Sequence, residues 1–182
     1  MPQRLPPVLS GLDLPLAELH AARLDGEVFR VDDCFSPIDE IAQPAHRARA
    51  LVTGVRDRLI AEQRSAAWVW GALSEPPTVH QFCVVLGARV TPPGISWMTV
   101  REVVLDASEL VTLEGLQVTT PLRTAVDLAR FTVEFGPAEG TMVTGLMRVG
   151  RFGLAECLDD MDRRRNLPNK RRAARFLREC VG

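Results

Sequence analysis

Leu116-Gln-Val-Thr-Thr-Pro-Leu-Arg-Thr-Ala-Val-Asp-Leu-Ala-Arg130 holds a strand, a helix start and an amphipathic helix in one short run. Leu116 to Thr119 is rich in β-formers, and Val111 to Leu113 pairs with it around Glu114-Gly115, a hairpin signal. Thr120-Pro121 then opens a helix. The threonine is the expected side-chain cap, and the proline fills the first helical position, where its missing N–H costs nothing. Leu122, Ala125, Val126 and Ala129 make an apolar stripe, with Arg123, Asp127 and Arg130 as a polar stripe on the other side. A strand that feeds straight into such a helix places the helix against the sheet.

Upstream, His80–Leu86 and Thr99–Leu105 read as strands around a Pro/Gly loop at 91–97, and Leu59–Ala61 as a short one. Between them, Glu62-Gln-Arg-Ser-Ala-Ala-Trp-Val-Trp-Gly-Ala-Leu73 reads as a helix. Ala66, Val69, Trp70 and Leu73 share its apolar face. Trp68 lies about 200° from Trp70, so Trp70 is expected in the core and Trp68 more exposed. An exposed tryptophan suits either a second packing layer or a partner. Residues 39–57 are polar and include a short helix.

Downstream the chain is helical. A segment over 136–149 carries Gly140 and Gly145, each costing about 1 kcal/mol against alanine. A helix over Leu154–Arg163 buries Leu154, Cys157, Leu158 and Met161. The last helix buries Ala173, Phe176, Leu177 and Cys180 and sets Arg171, Arg175 and Arg178 on its opposite face. Strands first and helices last give the expected class: α+β, a small mixed sheet covered by helices, with a helical C-terminal end.

The N-terminus is separate in character. After a Pro-rich stretch, a helix is expected over 14–25 with Asp13 as its cap and Gly26 as its stop. Strands follow at Glu27–Val31 and Cys34–Ile38. Helix then hairpin resembles the tail of a winged helix-turn-helix, without the two helices that would precede it. A plain helix and hairpin fits equally. Between Asp13 and Asp25 there are three acids and one arginine, unlike a helix that enters a DNA groove. The expected organisation is a truncated winged-helix-like segment at 1–40 and an α/β domain at 41–182.

Composition bounds the chemistry. The chain has 182 residues, 46% hydrophobic and 25% charged, with net charge −1, ordinary for a globular domain that folds without disulfides or metal. No apolar run approaches a membrane span, and the start lacks a signal-peptide core, so a cytoplasmic protein is expected. The four cysteines and three histidines are dispersed, so free thiols and no metal site are expected. There is no phosphate-binding loop, dinucleotide fingerprint or nucleophile elbow. Lys170, the single lysine, sits in a turn without a nearby carboxylate, which argues against a nuclease core. No cofactor is indicated.

Two stretches, Arg64-Ser-Ala-Ala-Trp-Val-Trp-Gly-Ala-Leu73 and Leu116–Arg130, resemble in order and spacing the AbiEi-type abortive-infection antitoxins. The resemblance covers roughly residues 14–182. It implies an N-terminal winged helix that represses an operon. It also implies a C-terminal α/β domain that neutralises a nucleotidyltransferase-like toxin in a type IV toxin–antitoxin system. Ser-His often precedes the first motif in the family, where this chain has Glu62 and Gln63. Related longer chains carry a repair-type nuclease domain after this region, and nuclease activity is not carried over here. The second motif emphasises Arg123 and Asp127, for which a structural role and partner contact both stand open. Ser65 is expected on the helix surface, with no histidine near it in sequence.

Charge is uneven. From Arg163 to Arg178 there are eight basic residues and no acidic ones, against a chain total of −1. Arg163, Arg164, Arg165, Lys170, Arg171, Arg175 and Arg178 are therefore candidates for binding nucleic acid or an acidic partner; a solvated helix end is the alternative. Trp68, Arg123 and Asp127 are candidates for partner contact. The expected function is a non-enzymatic antitoxin-like regulator that binds a protein. The alternative is a nucleic-acid-binding transcriptional regulator that meets DNA or RNA through the final helix.

Overall fold

The strand–helix junction at residues 116–130 forms as the sequence predicts. In a computed structural model, β7 (Leu116–Thr119) follows β6 (Leu110–Leu113) through Glu114-Gly115. Both turn residues have positive φ, 48° and 85°, as a two-residue hairpin turn requires. Thr120 accepts a hydrogen bond from the Arg123 N–H, and Pro121 opens α4 (Pro121–Phe131). The structure describes residues 6–41, 43–55, 58–88, 97–164 and 166–181.

The chain divides into two units, residues 1–57 with 113–116, and residues 58–112 with 117–182. In the first, α1 (Leu16–Leu24) precedes a two-stranded antiparallel sheet of β1 (Val28–Val31) and β2 (Cys34–Pro37), and α2 (Pro44–Gly54) follows. Leu9 exchanges backbone hydrogen bonds with Phe35, and Leu9, Leu19, Val28 and Phe35 form a small core. Asp13 does not cap α1. Its carboxylate accepts from Ser10 N and Oγ, and the helix starts after Pro15.

In the second unit the sheet runs β5-β4-β3-β7-β6. The short central strand β3 (Ile60–Ala61) is antiparallel to β4 (His80–Val85) and parallel to β7, and β4 is parallel to β5 (Met98–Val103). The chain is thus α+β, with a mixed five-stranded sheet, a separate two-stranded one and a helical C-terminal end. Helices α3 (Gln63–Val69), α4, α5 (Pro137–Gly150), α6 (Leu154–Arg163) and α7 (Lys170–Val181) share one apolar core. It includes Ala67, Ala125, Val126, Ala129, Val143, Leu146, Cys157, Met161, Ala173 and Leu177. Phe176 and Cys180, expected in the core, are only half-buried; Phe176 stacks on Phe135 at 4.8 Å. The Pro/Gly loop expected at 91–97 lies outside the described residues except for Trp97.

The expected tryptophan phase is reversed. Trp68 is 2% exposed, whereas Trp70 is half-buried and donates Nε1–H to the Thr119 carbonyl at 2.8 Å. The helix stops at Val69 because Gly71 turns left-handed, φ 82°. Gly71 N–H then bonds the Trp68 carbonyl and Ala72 N–H the Ala67 carbonyl, the pairing of a glycine-terminated helix. The apolar spacing read through to Leu73 therefore ran past the helix end.

Candidate functional site

Helix α4 is enclosed on both of its stripes. Arg123 and Asp127, expected on a polar face, are 5% and 1% exposed, and Arg130 is 4% exposed. A charge survives such burial only when paired. Asp127 Oδ2 accepts from Arg123 Nε at 2.9 Å and from Arg101 Nη2 at 3.2 Å; Oδ1 accepts from Arg130 Nη1 at 2.8 Å. Three guanidiniums thus surround one carboxylate, contributed by β5 and by two turns of α4.

The network extends from both ends. Glu62 grips Arg101 with both oxygens, each at 2.6 Å. Burial pushes the Glu62 carboxyl up against the opposing pull of Arg101. At the other end Arg123 Nη1 donates to both oxygens of Glu109 at 2.9 Å, and Arg164 bonds Glu109 and Asp160. Burial pushes the Glu109 carboxyl up, but the Asp106 N–H, Arg123 and Arg164 outweigh it and hold it below its ordinary value. Arg130 is held below the usual guanidinium range by burial and by the neighbouring Arg123 and Arg101. Guanidiniums of Arg101 and Arg130 also lie 4.0 and 4.6 Å from the Phe131 ring centre. Arg101, Glu109, Arg123, Arg130, Phe131 and Arg164 border a cleft of about 450 Å³ that residues 102–104, Asp106 and residues 166–168 also line.

The sequence candidates therefore fall into three places. Trp68, Arg123 and Asp127 are inside the framework, so their side chains offer little surface to a partner. Arg164 is drawn into the network, and Lys170 pairs with Asp162 at 2.7 Å. Arg163 (3.9 Å from Asp160), Arg171, Arg175 and Arg178 are exposed. Arg175 lies 3.8 Å from Glu179, and Arg178 donates to the Ala174 carbonyl. Arg165 lies outside the described residues.

Sequence reasoning missed Glu62, Arg101, Glu109 and Asp160. Their partners are distant in the chain, and the motif positions Glu62 and Gln63 were the only local hint. Ser65 is also corrected. It is fully buried, its Oγ lies 3.1 Å from His80 Nδ1 and accepts from Gln81 N–H, which pins α3 to β4. The cysteines form no disulfide. Cys34, Cys83 and Cys157 are buried, and burial raises their thiols, Cys157 to about 12, which leaves them unreactive. Among the described residues no three His, Cys, Asp or Glu side chains are grouped to hold a metal ion. No described helix is long and apolar enough to cross a membrane.

The AbiEi antitoxin C-terminal domain model matches residues 59–177. No curated protein matches the chain. Among solved structures, the RV2827C protein from Mycobacterium tuberculosis aligns at a TM-score of 0.50 and 18% identity. The alignment covers 97% of this chain and 73% of that one. At that identity the likeness shows fold alone.

Proposed function

Since the chain belongs to the AbiEi antitoxin C-terminal domain family, we propose that it is a non-enzymatic, antitoxin-like regulator of the cytoplasm that binds a protein partner, a nucleotidyltransferase-like toxin. The observation that supports this is how the arginines are divided. Arg101, Arg123, Arg130 and Arg164 are paired within the framework, whereas Arg171, Arg175 and Arg178 project from α7, whose other side is packed into the core. A rigid helix with an exposed basic face is suited to docking on an acidic surface. Such a role requires no reacting group.

The test is co-expression with a nucleotidyltransferase encoded beside this gene. Growth should recover with the wild-type chain. It should fail with Arg171→Gln/Arg175→Gln/Arg178→Gln, while the melting temperature of the triple variant stays unchanged. Full rescue by the triple variant would remove α7 from the interface. Toxicity unaffected by the wild-type chain would overturn the reading itself.

The same face favours one second reading, contact with DNA or RNA. If three arginines neutralise phosphates, log K falls with log salt at a slope of roughly −3 on duplex DNA. Binding is then weakly dependent on sequence. The winged-helix reading of the N-terminal unit would instead give sequence-specific binding that survives the triple change.

A further inference from the structure

We propose that the outer face of α1 docks a basic amphipathic helix of a partner protein, a contact surface other than the arginines of α7. At about 100° per residue, Leu16, Leu24, Ala17 and Ala21 lie side by side on α1. All four are exposed, Leu16 by 53% and Leu24 by 86%. The opposite side supplies Leu19 and Ala22 to the small core of the N-terminal unit. The helix therefore shows water more apolar side chain than it buries, the reverse of a helix placed only for packing in its own unit.

The patch continues past both ends of the helix. Leu12, 89% exposed, adjoins Gly11, and the Leu16 side chain packs over Gly11, 3.5 Å from where a Cβ would stand. At the other end the Glu27 N–H bonds the Ala22 carbonyl, and the Ile38 N–H bonds the Glu27 carbonyl, which brings the exposed Ile38 beside the end of α1. Singly exposed leucines are ordinary on a protein surface. Leu12, Leu16, Leu24 and Ile38, grouped around one short helix, form the kind of patch that marks a contact site.

Charge selects the occupant. Between Leu12 and Ile41 there are eight acids and two arginines. Glu18, Asp25, Glu27 and Asp39 are exposed, and none has an ion-pair partner among the described residues. Glu18 and Asp25 follow Ala21 around the helix, and Asp25 stands at its carbonyl end, where the dipole adds negative charge. Of the two arginines, Arg30 is paired with Asp33 at 2.9 Å. A second copy would set acid against acid across the leucines, and nucleic acid or an anionic membrane would meet the same repulsion. A helix with leucines on one face and cations on its flanks satisfies both parts of the surface. Its apolar face covers Leu16 and Leu24, and its cations reach the acidic rim. The inference does not rest on the toxin reading.

The test uses the full chain and a fluorescein-labelled model peptide, about four helical turns long, with leucines at helical spacing on one face and lysines elsewhere. Fluorescence anisotropy should show saturable binding at physiological salt with a Kd of about 10 μM or tighter. Leu16→Ser/Leu24→Ser should weaken it roughly tenfold with an unchanged melting temperature. Glu18→Gln/Asp25→Gln/Glu27→Gln should weaken it and flatten its salt dependence. Should a variant not fold, hydroxyl-radical footprinting of the wild type supplies the readout: the peptide should protect Leu12, Leu16 and Leu24 and leave Val133, also exposed, unaffected. No saturable binding, equal binding of a peptide with the same composition in scrambled order, equal binding by either variant, or no protection of α1 would overturn the proposal. So would self-association of the wild-type chain that the leucine variant loses, which would make a second copy the occupant.

Discussion

Glu62 and Arg101, 39 residues apart, form a two-pronged ion pair at 2.6 Å on both prongs. Glu62 is the cap residue of α3 and Arg101 belongs to β5, so the pair joins the helix start to an edge strand. Removing one charge leaves the other partly desolvated. Glu62→Gln should cost about 2–3 kcal/mol, less than for a fully buried pair because Arg101 keeps Asp127 and some solvent contact. Urea denaturation checks this; a loss under about 0.5 kcal/mol would mean the pair is dispensable.

Trp68→Ala should be the costlier tryptophan change, at about 3–5 kcal/mol, because Trp68 is almost wholly enclosed. Trp70→Ala loses one hydrogen bond to Thr119 and a half-buried ring and should cost less. Thermal melts of both variants decide it. A larger loss at Trp70 would contradict the packing described.

The two glycines inside α5 should respond oppositely. A Cβ on Gly145 would sit 3.1 Å from Ala72 Cβ and 3.2 Å from its Cα, a close approach that valine cannot share. Gly145→Val should destabilise by about 1–3 kcal/mol. A Cβ on Gly140 meets only Cys180 Sγ, at 3.5 Å. Gly140→Ala should therefore gain up to about 1 kcal/mol of helix propensity. Equal responses in denaturation midpoints would refute the distinction.

Glu109 should make stability fall on acidification. Its folded carboxyl titrates below the unfolded value of about 4.3, despite the upward push of burial. The unfolded chain therefore takes up the proton first. The contribution is complete above the unfolded pKa and is lost as pH falls through the folded one. Glu109→Gln should cost more stability near pH 7 than near pH 3. The same loss at both would show that the carboxylate charge is not what Glu109 contributes.

Local patterns settled much of this molecule. The Thr120-Pro121 start, the turn at Glu114-Gly115 and the outward placement of Arg171, Arg175 and Arg178 depend on neighbours within a few residues, and the structure carries all of them. Gly71 was equally local, yet the apolar spacing across it concealed the helix end. The tertiary structure alone decided the rest. Arg123, Asp127 and Arg130 form a polar stripe by spacing. Whether such a stripe meets water or protein depends on what the chain brings against it. Here β5 supplies Arg101, the turn at 107–109 supplies Glu109, and the end of α6 supplies Arg164 and Asp160. Pairing energy falls with distance in space and carries no signature in sequence separation. A helix surface in the sequence thus became a buried arginine–carboxylate network.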